Sequence, residues 1–276
     1  MYKNLLNFLR VGVISNLILL WGTFTYLDAT DNLWILVPAQ FLLLISAYRC
    51  MFPVNYASKA VLFDSILSSV FITRFLVTIV EVTYIFMFSH VLRIINDEEY
   101  MFVTVLSWLM VLQVTISQFF CWGAILIKYE KFYFYEESGW FIIFLFNSIC
   151  SIILLNSNIS SDHNILVILN IIFGILYLPW QVFHLKSILN RIKGNKDIQN
   201  QSMQFNKEKM KMELNNSFHE RKVTYEQSDW GGVVGIMWMY GYWILIIPIW
   251  VFYICLLYTS DAAYERSSVD LCGRRI

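Results

Sequence analysis

The stretch "VLFDSILSSVFITRFLVTIVEVTYIFMFSHVLRI", residues 61–94, sets ionisable side chains inside a run apolar enough to cross a lipid bilayer. A charge in hydrocarbon costs about 2.5–3.5 kcal/mol on insertion scales, and it turns toward a bundle interior or a wet cavity. Arg74, Thr78 and Glu81 fall on one helical face, because positions i, i+4 and i+7 lie in a row. Such a row supports two kinds of chemistry. It can bind a solute or ion, or it can pair with polar groups on neighbouring helices and fix their packing.

Polar stripes elsewhere offer partners. Thr104, Ser107, Thr115 and Gln118 share a face in a later run, and Asn170, Gly174, Tyr177, Gln181 and His184 form an i, i+4, i+7, i+11, i+14 row in another. Pro179 should bend that second run close to Gln181. Hydrogen bonds among such residues contribute only about 0.6–2 kcal/mol in ordinary membrane packing, so a stripe alone decides little. Depth adds a second constraint. In the orientation derived below, Asp64, Gln118, Glu136, Glu137, Gln181 and His184 all fall in the cytosolic half. If their helices are neighbours, carboxylates and one imidazole converge on an inward-facing vestibule suited to a proton, a cation or the polar head of an amphiphile. The competing reading makes Asp64, Glu136 and Glu137 interfacial caps.

The elements that must position these groups are membrane helices. A hydrocarbon core about 30 Å thick needs roughly 20 apolar residues per crossing. Runs of that kind lie near 5–26, 32–51, 61–92, 101–127, 138–155, 165–187 and 230–253, and the segments between them hold nearly all the charge. Lipid cannot satisfy the backbone of an open strand, and the runs alternate too little for a barrel. The expected fold is therefore all-α, a polytopic helical bundle with seven visible spans. Trp21 and Tyr26 read as interfacial anchors, and the opening run lacks the small-residue cleavage site of a signal peptide.

Alternate connections separate by charge. One set collects Lys3, Arg10, Arg49, Lys59, Lys128, Lys131, Lys186 and the basic residues of 188–229, whereas the other holds only Arg93. The positive-inside rule then places the N-terminus in the cytosol. The polar loops "LDATDN", "INDEEY" and "NSNISSDHN" fall outside, and Asn158–Ser160 is a formal glycosylation triplet there. Within the cytosolic loop 188–229, "NKEKMKMELNNSFHERK" reads as a solvated linker or as an amphipathic helix with Met210 and Leu214 toward lipid.

Composition agrees with a membrane setting. Hydrophobic residues make up 58% of the chain and aromatics 17%, above the roughly 45–50% apolar share of soluble domains. The net charge is zero, which leaves no footprint for nucleic acid. Cys50, Cys121 and Cys150 lie in or beside apolar runs without metal-ligand spacing and read as small core residues. The segment 254–276 reads as a non-native tail: Cys255–Ser260 fit the codons TGT-CTC-TTA-TAC-ACA-TCT, which resemble a sequencing adapter, and "SVDLCGRRI" resembles the primer that follows. Its basic residues Arg266, Arg274 and Arg275 cancel Asp261, Glu265 and Asp270, so the net charge holds without it.

No GxSxG, HExxH or phosphate-binding glycine loop is present, and His90, His163, His184 and His219 are too few for a histidine-rich di-iron or bis-haem site. Gly231 and Gly235 make a small-xxx-small face suited to close helix packing. The partners expected are the lipid bilayer and a small solute, a proton or a lipid. No cofactor, metal or catalytic residue is identified, and the reading leans away from an enzyme. The leading expectation is a transporter or channel-like protein whose binding candidates are Asp64, Arg74, Glu81, Gln118, Glu137, Gln181 and His184. The alternatives are an enzyme embedded in the membrane that acts on a lipid or isoprenoid, and a non-catalytic receptor or assembly subunit.

Overall fold

A computed structural model describes residues 2–25, 32–157, 161–199, 203 and 205–258. The glycosylation triplet at Asn158, the anchor Tyr26, most of the "LDATDN" loop and the tail from 259 onward lie outside the described residues. Among the described residues the chain is all-α apart from three two-residue strands. Among the described residues, seven helices are long and apolar enough to cross a membrane, which is compatible with a multi-pass membrane protein. They are α1 (Tyr2–Thr25), α2 (Leu33–Met51), α3 (Val70–Ile95), α4 (Met101–Ile127), α5 (Lys131–Leu155), α6 (Ser161–Gly194) and α9 (Gly232–Tyr258). The short α7 (Lys196–Gln199) and the polar α8 (Lys207–His219) lie between α6 and α9.

The chain divides into two compact units, Met1–Val80 with Arg221–Ile276, and Glu81–Glu220. In the first unit, α1 lies against α2 and against the α9 segment. Gly12 makes this possible, since a Cβ there would stand 2.6 Å from Cys50 Sγ and 2.7 Å from Ile244. The stretch Gly241–Leu245 of α9 is wound as a π-helix. Within it the Trp243 carbonyl accepts a hydrogen bond from Asn16 Nδ2 at 2.8 Å and from Cys50 Sγ at 3.6 Å. Helix α9 runs on through Cys255, which is buried, to Tyr258.

The third run begins later than its hydrophobicity predicts. Residues 61–69 are not α-helical: β1 (Val54–Asn55) pairs antiparallel with β2 (Ala60–Val61), and β2 pairs parallel with β3 (Lys222–Val223). A short 3-10 turn, Ile66–Ser68, follows, with the Ser65 hydroxyl accepting from Leu67 N. Ser69 then accepts from Ile72 N, and α3 starts at Val70. Serine side chains that cap a first turn set the start of a helix more strongly than apolar content does. Gly231, with φ of 76°, makes the left-handed turn between the 3-10 segment Gln227–Trp230 and α9.

In the second unit α5 lies between α4 and α6. Small residues bring the helices together: a Cβ on Gly139 would stand 1.9 Å from Ser117 Oγ, and one on Gly174 would stand 2.0 Å from Ser148 Oγ. Helix α8 also rests on α4, where Lys128 Nζ meets Glu213 Oε2 at 3.3 Å.

Candidate functional site

Within the second unit, several polar side chains meet in one layer of the helices. Glu81, near the middle of α3, is buried, and its Oε2 accepts from Gln118 Nε2 on α4 at 3.1 Å. On α5, Gly139 faces Ser117, the neighbour of Gln118. Nearby, Gln181 Nε2 of α6 donates to both the backbone oxygen of Glu137 at 2.9 Å and its carboxylate Oε2 at 2.8 Å. The other Glu137 oxygen lies 3.7 Å from His184 Nε2. Helix–helix contacts at Ser117–Gly139, Glu81–Gln118 and Glu137–Gln181 thus fall at a common level. The reason is geometric, since antiparallel neighbours keep register over several turns.

Aromatic rings connect these pairs. Tyr84, one turn along from Glu81, stacks on Trp140 with centroids 6.2 Å apart. Trp140 stacks on Phe144, and Phe144 meets Tyr177 at 4.6 Å. Tyr177 is buried and within electrostatic reach of Glu137, Tyr84 and Glu81. Farther along, Asn147, Ser148 and Ser151 of α5 and Asn170 of α6 are also buried, with Ser148 set against Gly174. Buried polar groups therefore extend along α5 and α6 for several turns beyond the carboxylates.

The predicted residues divide by location. Glu81, Gln118, Glu137, Gln181 and His184 belong to the second unit and form the two bonded groups just described. The structure does not bring Asp64 into this group. The third helix starts at Val70, so Asp64 stands in the preceding loop of the first unit, 72% exposed, with Oδ1 accepting from Arg221 Nε at 2.8 Å. Arg74 is buried in the first unit, and its guanidinium lies 5.6 Å from the Tyr56 ring centroid. Thr115 hydrogen-bonds within its own helix to the Val111 carbonyl, whereas Thr104 accepts from Asn96.

Two features escaped the sequence reading. Arg49, assigned to a cytosolic connection, is buried; its Nη2 donates to the Val54 carbonyl at 3.2 Å, and Tyr56 and Trp243 each lie 5.3 Å from its guanidinium. Arg93, the single basic residue of the opposite set, donates to Ser107 Oγ at 3.1 Å and lies 4.1 Å from the Trp108 centroid. In both cases an aromatic face receives the cation. The signal that could have found them is a basic residue within one or two turns of the end of an apolar run.

Among the described residues, no group of three or more His, Cys, Asp or Glu side chains is placed to hold a metal ion. Neither a family model, nor a curated protein, nor a solved structure matches the chain.

Proposed function

We propose that this chain is a multi-pass membrane protein whose second unit binds a small solute or proton and passes it along a polar interior. The distribution of polarity supports the membrane setting. Phe183, Leu176 and Ile175 of α6 are exposed while Gln181 and Asn170 of the same helix are buried. A protein folded in water exposes its amides and hides its large aliphatic groups. The inverse arrangement suits a hydrocarbon surround. The basic residues gathered in alternate connections support a cytosolic N-terminus.

The observation that carries the transport reading is the pair of bonded carboxylates, Glu81 with Gln118 and Glu137 with Gln181 and His184, aligned within one helical unit. Ionisable groups inside a membrane bundle mark solute pathways and proton relays more often than they serve packing. Flux into liposomes containing the purified chain tests this. Glu81→Gln keeps the side-chain shape and should lower flux by about a hundredfold or more while thermal stability in detergent stays within about 1 kcal/mol. Unchanged flux in that variant, or catalytic turnover in detergent without any gradient, would refute the proposal. Loss of stability without a specific loss of flux would assign the carboxylates to packing.

A further inference from the structure

Several buried oxygen atoms of the second unit accept nothing. Gln181 is fully buried, and its Nε2 is spent on Glu137, which fixes the orientation of the amide. Its Oε1 is left without a hydrogen-bond partner among the described residues. The same holds for Asn147 Oδ1, Asn170 Oδ1 and the hydroxyls of Ser117 and Ser151. Amide oxygens accept only, so their deficit is of donors. Buried polar atoms are nearly always satisfied, and each exception calls for an explanation.

Aromatic rings occupy the same level. Trp140 lies on α5 between the two α5–α6 contacts, Glu137–Gln181 and Phe144–Tyr177, and Tyr177 stands one turn before Gln181 on α6. A positive group that carries N–H donors satisfies all three features at once. Its hydrogens reach the orphan Gln181 oxygen, its charge meets the Glu137 carboxylate, and ring faces attract a cation.

We propose that this interior holds an ammonium group, either the free ammonium ion or the protonated end of an amine, between Gln181 Oε1, the Glu137 carboxylate and the rings of Trp140 and Tyr177. The inference rests on the reading of this unit as a solute passage and names the chemical class of the solute. Potassium is similar to ammonium in size but has no hydrogens to donate, so it separates hydrogen bonding from charge.

The test uses the full chain in detergent, titrated at constant ionic strength with ammonium, methylammonium, phenethylammonium or potassium chloride. Tryptophan emission and the thermal midpoint are recorded together. At least one of the ammonium salts should give a saturable response at a concentration about tenfold below that of potassium, and Glu137→Gln should weaken it by about tenfold or more. Tighter binding of ammonium identifies the free ion, and tighter binding of a substituted amine identifies the end of a larger solute. Trp140→Leu is the second variant, chosen because it removes the ring and leaves the carboxylate, and it should weaken binding as well. Absence of any saturable response, or equal responses to potassium and ammonium, overturns the proposal. Proton or neutral-solute flux in liposomes without ammonium binding sinks this inference alone. Ammonium binding without any flux sinks the passage alone.

Discussion

Gln181 shows how one amide can hold a carboxylate in an apolar surround. Both of its hydrogen bonds go to Glu137, one to the backbone and one to the side chain. Hydrogen bonds to a charged group contribute about 1.5–3 kcal/mol, and a carboxylate left without its donor carries a desolvation penalty besides. Gln181→Leu should therefore destabilise the folded chain by about 2–4 kcal/mol, read as a lower midpoint of unfolding in detergent. Substitution by Asn, which keeps the amide but shortens its reach, should fall between Leu and the parent. Glu81, Gln118 and Gln181 were legible in the sequence because each is a polar residue amid apolar neighbours at helical spacing. Trp140 and Tyr84 were not. In a chain with 17% aromatic residues, nothing local distinguishes a ring that lines a polar layer from one that faces lipid.

Helix α5 holds its place through absent side chains. Gly139 permits close approach to α4, since a Cβ there would overlap Ser117 Oγ at 1.9 Å and crowd Gln113 Nε2 at 2.8 Å. Gly139→Ala should cost about 1–3 kcal/mol, the usual range for overfilling a packed site, and adding Ser117→Ala should recover part of the loss. A midpoint that does not move in the single variant would contradict the contact. The 3-10 turn before α9 depends on charge instead. Asp229 accepts from Lys222 Nζ at 2.9 Å and from Thr224 Oγ1 at 2.9 Å, and these hydrogen bonds hold its carboxyl below the usual aspartate range. A depressed folded-state value means the bond network contributes above the ordinary aspartate pKa of about 4 and is lost as the pH falls through the lower, folded-state value. Protection from hydrogen exchange at residues 222–230, measured against the intrinsic amide rate at each pH, should fall as the medium is acidified below pH of about 4, and Asp229→Asn should remove that dependence. Helix boundaries were the least legible part of the fold. The apolar run from residue 61 concealed a strand pair, a serine-capped turn and the exposed ion pair of Asp64 with Arg221.

Among the described residues, the buried charges of each unit are of one sign: Arg49 and Arg74 in the first, Glu81 and Glu136 in the second. Hydropathy made the seven helices legible because roughly 20 apolar residues in succession have few other uses. Which faces turn inward depends on close contacts at glycines and serines, which hydropathy does not register. The proposed orientation has a direct check. Single cysteines at Lys209 and at Glu98, introduced into a background lacking the native thiols, should react with impermeant maleimide from opposite sides of sealed vesicles, Lys209 from the cytosolic side. Labelling of both from the same side would reject the alternating topology. The wound-out turn at Gly241–Leu245 has a consequence of its own. A π-turn holds about one residue more than the α-helical turn it replaces, so everything after it is rotated by roughly 100° about the axis. Ile247, Val251 and Ile254 owe their inward aim to that added residue. Deleting one codon there would restore ordinary winding and leave the faces on either side as they are, whereas the same deletion a turn or two farther along would swing the rest of the helix by about 100°.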